Sequence, residues 1–172
     1  MFQMNDEYYM ELALEESKIA LDEGNWPVGC VIELGGKVIA SGHNQVYTSK
    51  SRIAHAEQIT LEKISQILWD NPGQATLYTT YEPCPMCFGA IILSRIKRIV
   101  SGVDLDNSGA IHLYEHLPLI FKQDNFKVDF TTGILADKCT EVFMKGDYTN
   151  EFIQYKLYEL LESNNINISV LK

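Results

Sequence analysis

Two short motifs narrow what this chain can fold into more than anything else in it. They are His55-Ala-Glu57 and Pro83-Cys84-Pro-Met-Cys87, each standing where a helix is predicted to begin after extended or loop chain. Cysteines at i and i+3 in a first helical turn lie on one side of the helix. The positive end of the helix dipole favours their thiolate form. A histidine at a second helix start joins them only if the two helix N-termini meet. In α/β sheets such N-termini gather at one end, which is where ligands sit. The motifs therefore ask for strands alternating with helices on one sheet.

The rest of the chain supplies that order. Asn5 stands as a cap before a helix predicted over 6–22, with Tyr9, Leu12, Leu14, Ile19 and Leu21 at roughly helical spacing. Residues 28–34 read as a short buried strand, Gly35-Gly36 as a hairpin turn and 37–41 as the returning strand. A polar loop opens at Gly42-His43-Asn44. Then come a helix over 54–68, a strand over 75–80, a helix over 84–94 and a strand over 98–103. A short helix near 111–116, a fifth strand over 127–131 and helices over 135–144 and 151–162 follow. The expected fold is α/β, a three-layer α/β/α sandwich on a five-stranded mixed sheet. Residues 1–146 are expected to form the domain and 147–172 a C-terminal helical extension of it.

Composition enters as a constraint on compartment and partner. The 172 residues, 46% hydrophobic and 22% charged, suit one core without a disulfide framework. The acidic start lacks the apolar stretch of a signal peptide, and no apolar run is long enough to span a bilayer. A cytoplasmic protein without a membrane partner is expected. A net charge of −9 gives no long-range attraction to a phosphate-rich partner.

Thiolates and imidazole are zinc ligands, and a catalytic zinc keeps three protein ligands with a fourth position open for water. His55, Cys84 and Cys87 make three. Glu57, two residues after His55, is placed to move protons without ligating the metal. A closed structural site would need Cys30 or Cys139 as a fourth ligand, yet these fall in a strand and a helix and read as core. A redox pair at Cys84 and Cys87 leaves His55-Ala-Glu57 without a role. His112-Leu-Tyr-Glu115-His116 matches an inverted zinc-peptidase motif, but Pro118 limits any helix there. Arg95-Ile-Lys97-Arg98 reads as a solvated helix end or a nucleic-acid contact. Trp26, before Pro27, reads as core or pocket wall.

His-x-Glu followed by Pro-Cys-x-x-Cys is the signature of zinc deaminases acting on nucleobase amino groups. From Pro27 to Cys139 the chain resembles the cytidine/deoxycytidylate deaminase superfamily. The branch holds guanine deaminases, bacterial tRNA adenosine deaminases and fungal cytosine deaminase. Pro27-Val-Gly, Gly42-His-Asn44, Ala54-His55-Ala-Glu57, Thr76-Leu-Tyr and Glu82-Pro-Cys-Pro-Met-Cys87 carry the resemblance. It implies zinc on His55, Cys84 and Cys87, Glu57 as proton shuttle, Asn44 on the base, backbone near Ala56 helping to hold it, and a homodimer. The loop after Asn44 and Pro85 look like guanine deaminases, while Gly133-Ile-Leu-Ala-Asp137 looks like tRNA adenosine deaminases. Ser51-Arg-Ile53 stands where many relatives carry Asp-Pro-Thr. The expectation is a hydrolase deaminating a small-molecule base or nucleoside, a guanine-like purine first. The alternative is a tRNA-specific adenosine deaminase, disfavoured by net charge, and a remote third is a non-catalytic structural zinc protein.

Overall fold

A computed structural model describes residues 3–103, 109–121 and 126–146. The helix expected over 151–162 and the extension 147–172 lie outside them. The chain runs α1 (Gln3–Asp22), β1 (Gly29–Leu34), β2 (Lys37–His43), α2 (Ala56–Lys63), α3 (Ser65–Asp70), β3 (Ala75–Tyr81), α4 (Pro85–Leu93), β4 (Arg98–Val103), a 3-10 helix (Ile111–His116), β5 (Asp129–Thr131) and α5 (Ala136–Phe143).

The sheet has the order β2-β1-β3-β4-β5. β1 pairs antiparallel with β2 and with β3, whereas β3, β4 and β5 are parallel. The hairpin between β1 and β2 turns on Gly35 and Gly36, with φ of +62 and +83, the left-handed pair that a tight hairpin turn requires. α1 and α5 cover one face and α2 and α4 the other, so the expected three layers and mixed sheet are present. β1, β3 and β4 are buried on both faces, as sheet interiors covered by helices are. Gly29 is needed where α1 crosses β1, because a Cβ there would meet the Ala13 carbonyl oxygen at 2.0 Å.

Four boundaries differ from the sequence reading. The helix expected over 54–68 is two helices, broken at Ile64 (φ −128, ψ 17); the break leaves both Ile64 and Leu68 buried. β2 runs on to His43, because Gly29 of β1 still has His43 to pair with. α1 begins at Gln3, so Asn5 lies within the helix. β5 is shorter than expected, since only Asp129, Phe130 and Thr131 reach a partner on β4.

Candidate metal centre

His55 is the N-cap of α2 and Cys84 the N-cap of α4, both with extended backbone and neither capping its helix with its side chain. Such positions favour Ser, Thr, Asp or Asn. A histidine and a cysteine there forgo a cap and keep their ligand atoms available. Pro85 takes the first helical position, where its missing N–H costs nothing, and Cys87 follows in the same turn. β3 feeds α4, and the loop after β2 feeds α2. Both helices lie on one face, so their N-termini converge.

The ligand atoms of His55, Cys84 and Cys87 lie within 4.8 Å of one another. Imidazole and thiolate ligands of a tetrahedral zinc sit about 3.6 Å apart, and His55 Nδ1 and Cys84 Sγ are separated by 3.6 Å. A hydrogen bond from the Cys87 thiol, with His55 also beside it, pulls Cys84 down to about 3, while donating to Cys84 and burial push Cys87 up. The donor types and their spacing fit zinc. Among the described residues the group has three members. Cys30 and Cys139 are buried free thiols raised by burial, Cys139 to about 12, and neither joins it.

Glu57 is 3% exposed, and its Oε1 accepts a hydrogen bond from Thr79 Oγ1 on β3 at 3.2 Å. Burial raises its pKa, because low-dielectric surroundings disfavour the charged carboxylate. Trp26, Asn44, His55, Glu57 and Cys84 line one cavity. Asn44 is buried; its Oδ1 accepts from the Val46 N–H at 3.1 Å, leaving the NH2 as its donor toward the cavity. Trp26 Nε1 donates to Tyr47 Oη at 3.0 Å, which holds the indole in the wall. Ala56 is fully buried at the start of α2, between two lining residues.

Val28, Tyr81, Glu82 and Phe143 also line the cavity and were not anticipated. Phe143 stacks on Tyr81, with ring centroids 4.6 Å apart. No spacing rule links an α5 residue to the end of β3; the nearest signal is the Gly133–Asp137 stretch that leads into α5. Glu82 accepts from the Ile111 N–H at 2.9 Å and so ties the 3-10 helix to the cavity. His112 and His116 sit on that 3-10 helix, outside the metal group. The basic cluster is partly structural. Arg98 forms two 2.7 Å bonds to Asp6, and Arg95 lies over the Phe126 ring at 5.1 Å.

Comparison with known proteins gives one family and a consistent set of relatives. The family "Cytidine and deoxycytidylate deaminase zinc-binding region" matches residues 3–103. A tRNA-specific adenosine deaminase of Bacillus subtilis (strain 168) is 38% identical over 136 residues, covering 78% of this chain and 83% of the relative. A structure from biochemical and structural studies of A-to-I editing by tRNA:A34 deaminases superposes with a TM-score of 0.67 at 31% identity, covering 78% of this chain and 98% of that one. NE0047, solved in complex with 2,6-diaminopurine, gives 0.66 at 28% identity, covering 81% and 80%.

Proposed function

Since this chain belongs to the cytidine and deoxycytidylate deaminase family, we propose that it is a cytoplasmic hydrolase converting adenosine to inosine in tRNA, with release of ammonia. The observation that carries this reading is the 38% identity, over most of both chains, to a tRNA-specific adenosine deaminase. It favours the tRNA alternative over the guanine-like purine that the net charge of −9 suggested. A local run of cations supports it: Lys50 and Arg52 are exposed in the loop between Asn44 and His55 and have no ion-pair partner among the described residues.

His55, Cys84 and Cys87 would hold zinc, which supplies the Lewis acidity that makes water nucleophilic near neutral pH. Glu57 moves the protons. Burial raises its carboxyl above the ordinary carboxylate range, which favours its taking up a proton. It takes one from the attacking water and passes it to the adenine ring nitrogen beside C6, then takes the second from the hydroxyl now on C6 and passes it to the departing amino group. The C6–N bond breaks, a C6–O bond replaces it, and one water is consumed for each ammonia released. The Asn44 NH2 donates to an acceptor on the base, and Trp26 supplies an apolar wall. An adenosine inside RNA must leave its stack to enter such a cavity.

The chain would act as a homodimer. Leu93 of α4 is 62% exposed, and Leu119 and Ile120 are 85% and 61% exposed. Phe121, next in sequence, packs beside Gly89 of α4, and exposed apolar side chains on and near α4 are of the kind that mark an interface.

The test is ammonia release from zinc-loaded protein, offered an anticodon stem-loop RNA, free adenosine, guanine and 2,6-diaminopurine. Release from the RNA alone, with inosine in the product, is the expected result. The relative solved with 2,6-diaminopurine makes a free purine the second reading, and turnover of guanine without turnover of RNA would put it first.

A further inference from the structure

His43, the last residue of β2, is held by an acidic partner on each ring nitrogen. Nδ1 lies 2.7 Å from Glu16 Oε2 of α1, and Nε2 lies 3.2 Å from Glu23 Oε2 just beyond α1. Glu16 is anchored from its other oxygen by Ser41 Oγ at 2.5 Å. Glu23 is part of a chain of contacts that leads to the cavity. Its Oε2 accepts from Asn25 Nδ2 at 3.3 Å. Asn25 Oδ1 accepts the Tyr47 and Thr48 N–H groups at 3.0 and 3.1 Å. Tyr47 Oη in turn accepts from Trp26 Nε1. Asn44, adjacent to His43, lines the same cavity as Trp26.

We propose that His43 is a proton-operated positioning residue for the substrate wall formed by Asn44 and Trp26. The proposal rests on reading that cavity as the substrate site. Only an imidazolium donates from both nitrogens, so only the charged ring satisfies Glu16 and Glu23 together. A neutral ring keeps its proton on Nδ1 for the shorter contact with Glu16 and turns a bare lone pair toward Glu23. The Gln45 amide nitrogen lies 3.4 Å from Nε2 and is the donor that replaces it. Losing the proton thus exchanges Glu23 for Gln45 and removes the tie from β2 to Glu23, which braces the Asn25 side chain that holds the Tyr47 and Thr48 N–H groups of the loop following Asn44. Around the ring, α1 and the turn after it contribute Glu16 and Glu23. α2 contributes Lys63, whose Nζ donates to the Ser41 carbonyl at 2.6 Å. The β1 partner, Gly29, carries no charge.

Imidazoles exchange their proton between about pH 5 and 8. The two tryptophans are Trp26 and Trp69. Trp69 is 82% exposed, so W69F leaves Trp26 as the sole indole reporter. In that background Trp26 emission is expected to change with pH along the same curve as the ring signals of His43 in NMR spectra. H43Q and E23Q should each abolish the change. For the anticodon stem-loop RNA, KM is expected to rise about three- to tenfold from the acid to the alkaline side, with the kcat profile keeping its shape in both variants. Trp26 emission that stays flat, or that titrates unaltered in H43Q, overturns the proposal. A His43-dependent emission change in a protein that never deaminates RNA overturns the RNA reading and leaves this one standing.

Discussion

On the proposed reading, Glu57 serves chemistry at the expense of the fold. Its carboxyl is buried, with Thr79 beside it, and burial raises its pKa. The sign of the linkage follows. A group whose folded pKa lies above its unfolded value binds its proton more tightly in the folded protein, so its favourable contribution is complete below the ordinary carboxyl value of 4.5. That contribution is lost as pH rises through the folded pKa. The glutamine of E57Q has no charge to bury. At pH 7 the metal-free variant is expected to melt at a higher temperature than the metal-free wild type. The two should converge in acid. The same substitution should lower turnover of the zinc-loaded enzyme by about 10²–10⁴-fold while leaving the zinc content unchanged. An inactive variant that has lost its zinc would show that Glu57 supports the metal site instead of moving protons. His55 and Cys84 make the same trade in a milder form, each standing at a helix N-cap without capping it.

Between elements, a long-range polar tie joins α1 to the sheet. Asp6 accepts two 2.7 Å bonds from Arg98 at the start of β4 and a third from Tyr78 of β3. The Arg98 hydrogen bonds lead in holding the Asp6 carboxyl below its ordinary 3.8, against the opposing effect of burial. A depressed folded pKa contributes stability that is present above the unfolded value and lost as pH falls through the folded one. D6N should therefore destabilise the protein at pH 7 and flatten the acid limb of its stability profile, both read by urea denaturation. The Arg98 side chain is 28% exposed, so solvent screens the pair. The expected loss is about 2 kcal/mol, below the 3–5 kcal/mol of fully buried pairs. An acid limb equally steep in D6N would remove Asp6 from this role. Two of the three cations of the basic cluster thus have structural contacts: Arg98 braces α1, and Arg95 rests on Phe126.

At the scale of the whole molecule, a net charge of −9 does not by itself choose between the two proposed substrates. Charge acts on a ligand through the local surface it meets, and the loop between Asn44 and His55 carries Lys50 and Arg52 on an otherwise acidic protein. The described residues include no helix long and apolar enough to cross a membrane. The exposed apolar side chains on and near α4 belong to the same scale. L93D places a charge among them and is expected to shift the sedimenting species from dimer to monomer with little change in melting of the monomer. Wild-type protein that sediments as a monomer at all concentrations would discard the interface.

What the sequence by itself determined is the ligand chemistry and where the two helices that carry it, α2 and α4, begin. Ligand types, Pro85 and the spacing of Cys84 and Cys87 are local facts, acting within one helical turn. The hairpin at Gly35-Gly36 is legible for the same reason, since two left-handed residues in a row are a local demand. Tertiary structure alone decided the strand order, with β1 set between β2 and β3, and the break at Ile64, which depends on what each side of the helix packs against. It also decided the cavity wall. Phe143 reaches Tyr81 across the sheet, and Trp26 is held by Tyr47. Glu57 titrates high because of what surrounds it, not because of its neighbours in the chain. Contacts between residues far apart in sequence arise from closing long loops around a packed core, and no short-range pattern encodes which of them will meet.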